Sequence, residues 1–68
     1  MKTKFSERLR ELRLERDLKQ AEIALAMLVS ATTVSRWELG KDEPDFLTLV
    51  KLAKYFKVRT DYLLGLED

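Results

Sequence analysis

Residues 30–41, SATTVSRWELGK, combine short polar side chains with one arginine, where a solvated helix face ordinarily carries glutamate and lysine. At helical spacing the segment has two faces. The first holds Val34, Trp37 and Glu38, and the second holds Thr32, Ser35, Arg36 and Leu39. The hydroxyls and the guanidinium of the second face are hydrogen-bonding groups, so the question is what they would bond.

The residue inventory excludes most catalytic chemistry. The 68 residues include no cysteine and no histidine, which excludes disulfides, thiolate chemistry, imidazole acid–base catalysis and the usual zinc sites. The hydroxyls of Ser30 and Ser35 have no evident activating base, and the acidic residues Asp42, Glu43 and Asp45 lack the spacing of an EF-hand. We therefore expect no enzymatic activity, no metal and no cofactor, and no small-molecule ligand is evident.

The charge is unevenly distributed along the chain. Residues 1–41 carry nine Lys/Arg against six Asp/Glu, whereas residues 42–68 carry four against six. This asymmetry permits a nucleic-acid partner without requiring one. No apolar run approaches the length of a membrane span, and the N-terminal MKTKFSERL lacks the apolar core of a signal peptide. We predict a cytoplasmic protein with no membrane partner.

The apolar spacing predicts an all-α fold of five helices joined by short turns. The helices are expected at about 4–16, 20–27, 31–39, 46–56 and 60–64, in one domain that covers residues 1–68. Because only three residues separate the second and third helices, these two are predicted to form a helix-turn-helix. In the fourth helix, the predicted apolar set is Phe46, Leu49, Val50, Leu52, Ala53 and Phe56.

Two charged residues occupy positions where apolar side chains are expected. Arg13 follows Leu9 by four residues on the first helix, and Glu38 follows Val34 by four on the third. This placement predicts an ion pair between the two helices, the alternative being that both side chains extend to water. Removing one partner of such a buried pair costs about 3–5 kcal/mol, because the other charge is left uncompensated.

The segment LRELRLERDLKQAEIALAMLVSATTVSRWELGKDEPDFLTLVKLAKYFKV resembles the Cro/cI-type helix-turn-helix repressors, also known as XRE-family or lambda-repressor-like DNA-binding domains. The resemblance extends over residues 5–64. It implies a five-helix domain with the helix-turn-helix at helices 2 and 3, and an internal ion pair between Arg13 and Glu38. The matching positions are Gln20, Ala24, Val29, Ser30, the run TVSRWE at 33–38, and Gly40, Lys41 and Pro44.

The resemblance also implies that the third helix enters the major groove of DNA, where short side chains allow close approach to base edges. Arg36 can donate two hydrogen bonds to guanine O6 and N7, and its alternative is an ordinary surface arginine. For Lys19 and Lys41 the alternative is a solvated side chain. The predicted base contacts are Ala31, Thr32, Ser35 and Arg36, and the predicted phosphate contacts are Lys19, Gln20, Thr33 and Lys41.

Several positions depart from the family pattern. Leu28 stands where a turn glycine is usual, which predicts either a left-handed backbone conformation or a different turn. Lys19 and Arg59 replace the usual Ser/Thr caps of the second and fifth helices. Ala31, at a position that is often polar, offers only a methyl group, for example to a thymine methyl.

A dimer is expected, because one such domain makes too few DNA contacts for tight binding and specific sites comprise two half-sites about 34 Å apart. The C-terminal DYLLGLED carries more apolar surface than one short helix can bury. Closure of the core is the alternative role for Leu63 and Leu64. The candidate dimer contacts are Tyr62, Leu63, Leu64 and Leu66.

The sequence therefore predicts a sequence-specific transcriptional regulator of bacterial or phage origin, a repressor that binds a double-stranded, pseudo-palindromic operator as a homodimer. Two alternatives remain open: an antitoxin-type autoregulator that also binds a protein toxin, and a protein-interaction module with the same fold. The chain is expected to be either a whole small regulator or the N-terminal piece of a longer one.

Overall fold

The structure, a computed structural model, describes residues 3–66. Within this range the chain forms five α-helices and no strand, which confirms the predicted all-α class. Compared with the predicted bounds, α1 is one residue shorter at each end and α3 ends one residue earlier. The helices are α1 (Phe5–Glu15), α2 (Gln20–Met27), α3 (Ala31–Glu38), α4 (Phe46–Phe56) and α5 (Thr60–Leu64).

All five helices contribute to one apolar core. In α1 the buried residues Phe5, Leu9 and Leu12 recur at helical spacing, and the Phe5 ring meets Trp37 of α3 edge to face, with ring centroids 6.5 Å apart. The core therefore holds α3 by its inward face. Its members are Phe5, Leu9, Leu12, Ile23, Ala24, Met27, Val34, Trp37, Leu49, Leu52, Ala53, Phe56 and Leu63.

Two residues predicted to belong to the apolar face of α4 lie outside the core. Phe46 is 88% exposed and Val50 is 40% exposed, so the prediction was wrong for both. Phe46 is the first residue of α4. Because helical side chains tilt toward the helix N-terminus, its ring extends beyond the packed part of the helix. Val50 lies at the margin of the stripe that the four buried α4 residues form.

Each helix ends in the same type of backbone turn. Just beyond the helix, a residue of positive φ and its successor donate their N–H groups to carbonyls of the last helical turn, which is a Schellman motif. After α2, for example, the Leu28 N–H donates to the Leu25 carbonyl at 3.3 Å and the Val29 N–H to the Ala24 carbonyl at 3.0 Å. The residues of positive φ are Asp17, Leu28, Gly40, Lys57 and Gly65.

The turn between α2 and α3 is a Schellman turn without glycine. Leu28 adopts the left-handed conformation, with φ 60° and ψ 43°, so the first of the two possibilities stated for this residue holds. The conformation costs a leucine about 1–2 kcal/mol. The side chain of Val29, directly after Leu28, packs against the core and holds the turn in place. The same arrangement follows α4, where left-handed Lys57 precedes Val58.

Replacing Leu28 with glycine is expected to raise the free energy of unfolding by about 0.5–1 kcal/mol, because glycine relieves the left-handed strain but adds entropy to the unfolded chain. The Leu28 side chain is 84% exposed, so little packing is lost. Urea unfolding followed by circular dichroism measures the change. Leu25→Gly is the matched control, since Leu25 is 77% exposed within the same helix and glycine there should destabilise. Equal effects of the two substitutions would contradict this account.

The predicted ion pair between α1 and α3 is present. Arg13 Nε donates to Glu38 Oε2 at 2.6 Å, and Arg13 Nη2 donates to Glu38 Oε1 at 2.9 Å. The two side chains are only 13% and 4% exposed, and the bonds to Glu38 raise the pKa of Arg13. Arg13 Nη1 also donates to the Leu18 carbonyl at 3.1 Å, and Gln20 Nε2 donates to Glu38 Oε1 at 3.1 Å. The pair therefore joins α1, the α1–α2 turn, α2 and α3.

A double-mutant cycle on this pair should show strong coupling. Arg13→Met and Glu38→Leu are each expected to lower the free energy of unfolding by about 3 kcal/mol, because each leaves a nearly buried charge without its partner. The double variant should lose clearly less than the sum of the two, since neither charge remains. Urea denaturation at neutral pH measures all four proteins. Additive losses would mean that the pair contributes no coupling.

Candidate nucleic-acid interface

The helix-turn-helix is built from α2, the turn at residues 28–30, and α3. Ser30 is the N-cap of α3: its Oγ accepts from the Thr33 backbone N–H at 3.1 Å, and the hydroxyls of Ser30 and Thr33 are 3.0 Å apart. α2 and α3 pack against each other, and Val34 and Trp37 bury the inner face of α3. The opposite face of α3 is left toward solvent.

The four predicted base contacts share this outer face of α3. Ala31, Thr32 and Arg36 are exposed and Ser35 is half-buried. Three of these side chains are short and project little from the helix. The Arg36 side chain is long and carries its guanidinium further from the helix axis. The face can approach another surface closely while presenting hydroxyl and guanidinium hydrogen-bonding groups.

The four predicted phosphate contacts lie at or next to the ends of helices. Lys19 and Gln20 lie at the start of α2, Thr33 lies in the first turn of α3, and Lys41 follows the turn after α3. Lys19 and Lys41 are exposed. The Gln20 and Thr33 side chains are half-buried, and each already makes one hydrogen bond, to Glu38 and to Ser30. The Gln20 amide keeps a second N–H for a further acceptor.

The start of α2 has a cap that the sequence analysis missed. The side chain of Lys19 cannot accept a hydrogen bond, but the Lys19 backbone N–H donates to Glu22 Oε1 at 2.9 Å. Glu22 stands three residues after the N-cap, which is the spacing of the capping-box acid. This spacing of Lys19 and Glu22 is the feature of the sequence that could have predicted the cap. The Glu22 carboxylate therefore satisfies the backbone N–H of Lys19, and the Lys19 side chain remains exposed.

A second missed contact involves the arginine of the outer face. Arg36 Nε donates to Asp42 Oδ2, and the two side chains are 47% and 49% exposed. The bond to Arg36 lowers the pKa of the Asp42 carboxyl. The two residues are six apart, beyond any helical neighbour spacing, and meet because the turn at Gly40 folds the chain back. Asp45, in the same loop, instead caps α4 by accepting from the Thr48 N–H at 2.8 Å.

The four candidate dimer contacts have different environments. Leu63 is fully buried in the core, because its spacing in α5 turns it inward, so the stated alternative of core closure holds for it and the prediction of a dimer contact there was wrong. Tyr62 is half-buried, with the Arg8 guanidinium 4.2 Å from its ring centroid. Leu64 is half-buried and packs against the core, in keeping with the alternative stated for it, and it also lines a groove of about 210 Å³ together with Phe46. Leu66 is 58% exposed.

Residues 3–66 contain no group of three or more acidic side chains arranged to hold a metal ion. Nor does any helix in this range have the length and apolar character needed to cross a membrane.

Comparison with known proteins places this architecture in a family. The chain matches the helix-turn-helix family HTH_3 over residues 9–63. It is 39% identical over 64 residues to the HTH-type transcriptional activator BcrR of Enterococcus faecalis, which covers 94% of this chain and 31% of BcrR. It is 43% identical over 54 residues to the cryptic phage CTXphi transcriptional repressor RstR of Vibrio cholerae, which covers 79% of this chain and 49% of RstR.

A solved structure extends the comparison to the fold. The P22 c2 repressor, in complex with the synthetic operator 9T, superposes with a TM-score of 0.86 at 32% identity, over 93% of this chain and 96% of that one. The curated relatives are longer, and this chain spans 31% of BcrR and 49% of RstR. From the match to HTH_3, the relatives and the superposition together, the chain belongs to the Cro/cI-type, or XRE, family of helix-turn-helix DNA-binding transcription regulators.

Proposed function

We propose that this chain binds a pseudo-palindromic DNA operator as a dimer, with α3 in the major groove of each half-site. The observation that carries the proposal is the division of α3 into two faces. Val34 and Trp37 lock one face into the core, while the other face presents short polar side chains and Arg36 to solvent. A helix that is held firmly, and whose outer face carries short hydrogen-bonding side chains, fits into the major groove between the two phosphate backbones.

In this proposal the base contacts come from the outer face of α3. Arg36 donates two hydrogen bonds to guanine O6 and N7, and the hydroxyls of Thr32 and Ser35 bond neighbouring base edges. Ala31 contacts a thymine methyl group. Such contacts distinguish base pairs, whereas contacts with phosphates fix only the position of the helix.

The phosphate contacts come from Lys19, Gln20, Thr33 and Lys41. Gln20 is the most constrained of these side chains, because Glu38 orients its amide, and its second N–H can donate to a phosphate oxygen. The backbone N–H groups at the starts of α2 and α3 that the Glu22 and Ser30 caps do not engage add further donors for anions. Of the four contact residues, two precede α3 in the chain, Thr33 lies in its first turn and Lys41 follows it, so together they would clamp the helix against both sides of the groove.

The outcome of operator binding is proposed to be repression, since a protein that occupies a promoter excludes other proteins from it. The relatives include the repressor RstR and the activator BcrR, so the same type of domain serves both outcomes. The dimer is proposed to form through Leu64 and Leu66, with Tyr62 at the margin. The exposed Leu66 and the groove beside Leu64 supply apolar surface that a second copy can cover symmetrically.

Selection of bound sequences from random duplex DNA tests the base contacts. The wild-type chain should enrich a two-fold-symmetric site, and Arg36→Ala should lose the guanine preference at one position of each half-site. The loss should be about tenfold or more in discrimination, because two hydrogen bonds to guanine are removed. Arg10→Ala is the matched control, because it removes the same charge from an exposed position on α1.

Other outcomes of this selection would contradict the proposal. Weak, salt-sensitive binding without an enriched site would mean that the isolated chain binds only phosphates. An enriched site that keeps its guanine in Arg36→Ala would remove Arg36 from the base contacts. No DNA binding at all would favour a protein partner for the same surface.

The dimer contact is tested by Leu66→Asp. If Leu66 is buried between two copies, the substitution should raise the dimer dissociation constant by more than about tenfold, because a charge replaces apolar contact on both sides of the two-fold axis. Sedimentation equilibrium measures the constant. Leu14→Asp, at a leucine 49% exposed on α1, is the control. Equal dissociation constants for the two variants would place the interface elsewhere.

A further inference from the structure

The contact between Arg36 and Asp42 is held by the backbone as well as by the side chains. The Arg36 carbonyl accepts the Lys41 N–H at 2.9 Å and the Asp42 N–H at 3.4 Å. Gly40, with φ 74°, makes the turn that brings residues 41 and 42 back to the helix. The position of the Asp42 carboxylate relative to α3 is therefore set by the Schellman turn at the end of α3.

This pair is poorly explained as a stabilising contact. Ion pairs between half-exposed side chains contribute little to folding, because water screens them and ordering two flexible side chains is unfavourable. By contrast, the Arg13–Glu38 pair is nearly buried and joins three helices. What the Asp42 carboxylate does change is the state of Arg36, since it restricts a long side chain on the outer face and compensates its charge.

The geometry leaves a specific part of the guanidinium available. Arginine presents five N–H donors in a planar fork, and Asp42 takes the one on Nε. The two terminal amino groups of Arg36 keep the pair of parallel donors that matches guanine O6 and N7. The neighbouring carboxylate also repels phosphate, so it disfavours the alternative in which Arg36 swings to the DNA backbone.

We propose that Asp42 is a specificity-determining residue that holds Arg36 in the orientation for guanine and keeps it from the phosphates, at a cost in non-specific affinity. This inference rests on the proposed function, because it assumes that Arg36 contacts a base. Asp42 is a positioning residue in this role: it acts on DNA recognition through the orientation of Arg36.

The test compares wild type, Asp42→Ala and Asp42→Asn with the control Glu43→Gln. Glu43 is the exposed neighbour of Asp42, so the control removes the same charge from almost the same place. Dissociation constants are measured for three duplexes: the selected operator, the same operator with the Arg36-dependent G·C pair replaced by A·T, and an unrelated sequence. Thermal unfolding of each variant verifies that the fold is retained.

Asp42→Ala should reduce the ratio of affinities for the G·C and A·T operators by about fivefold or more, because Arg36 is no longer restricted to the guanine edge. Binding to the unrelated duplex should strengthen, and its salt dependence should steepen by about one counterion as Arg36 becomes a phosphate contact. Asp42→Asn should fall between Asp42→Ala and wild type. Glu43→Gln should keep the wild-type ratio.

Two results would overturn the inference. If Asp42→Ala and Asp42→Asn keep the wild-type ratio while Arg36→Ala loses it, Asp42 plays no part in specificity and the proposed base contact stands. If the wild-type chain does not prefer the G·C operator, or if Arg36→Ala keeps that preference, Arg36 does not contact the base. The proposed role of Asp42 then fails as well.

Discussion

The paired hydrogen bonds between Arg13 and Glu38 are the interaction on which the arrangement of the helix-turn-helix depends. Glu38 is the last residue of α3, and its carboxylate accepts both from α1 and from Gln20, the first residue of α2. One carboxylate therefore sets the relation between both helices of the helix-turn-helix and the first helix. Because it is almost fully buried, its oxygens have few alternatives to these donors, and the geometry is correspondingly defined.

The turns impose a second constraint on this small domain. The connections between the helices are short. Each helix ends in a Schellman turn, which redirects the chain within two residues. Three of those turns place a residue other than glycine in the left-handed region. Apolar residues that follow, such as Val29 and Val58, pack against the core, so tertiary packing stabilises backbone conformations that local preference disfavours.

Helix α3 combines two properties: one face is held firmly by the core, and the opposite face remains accessible to solvent. Burial of Trp37 and Val34 and the bonds of Glu38 provide the first property. The short side chains on the other side contribute to the second. Arg36 is the exception on the outer face, being long and flexible, and the turn after α3 supplies the carboxylate of Asp42 that restricts it. The contact thus restricts a side chain on the outer face of a helix whose inner face is held by the core.

The sequence by itself determined the five helices and the polar face of α3, because these follow from side-chain periodicity within single helices. It placed Arg13 and Glu38 at inward positions, and the structure decided that they pair rather than extend to water. Only the tertiary structure decided that Phe46 is exposed, that Leu63 belongs to the core and that Arg36 meets Asp42. Those outcomes depend on where each helix ends relative to its neighbours and on how a turn redirects the chain. Periodicity describes the faces of a helix, whereas contacts beyond its ends are fixed by packing in three dimensions.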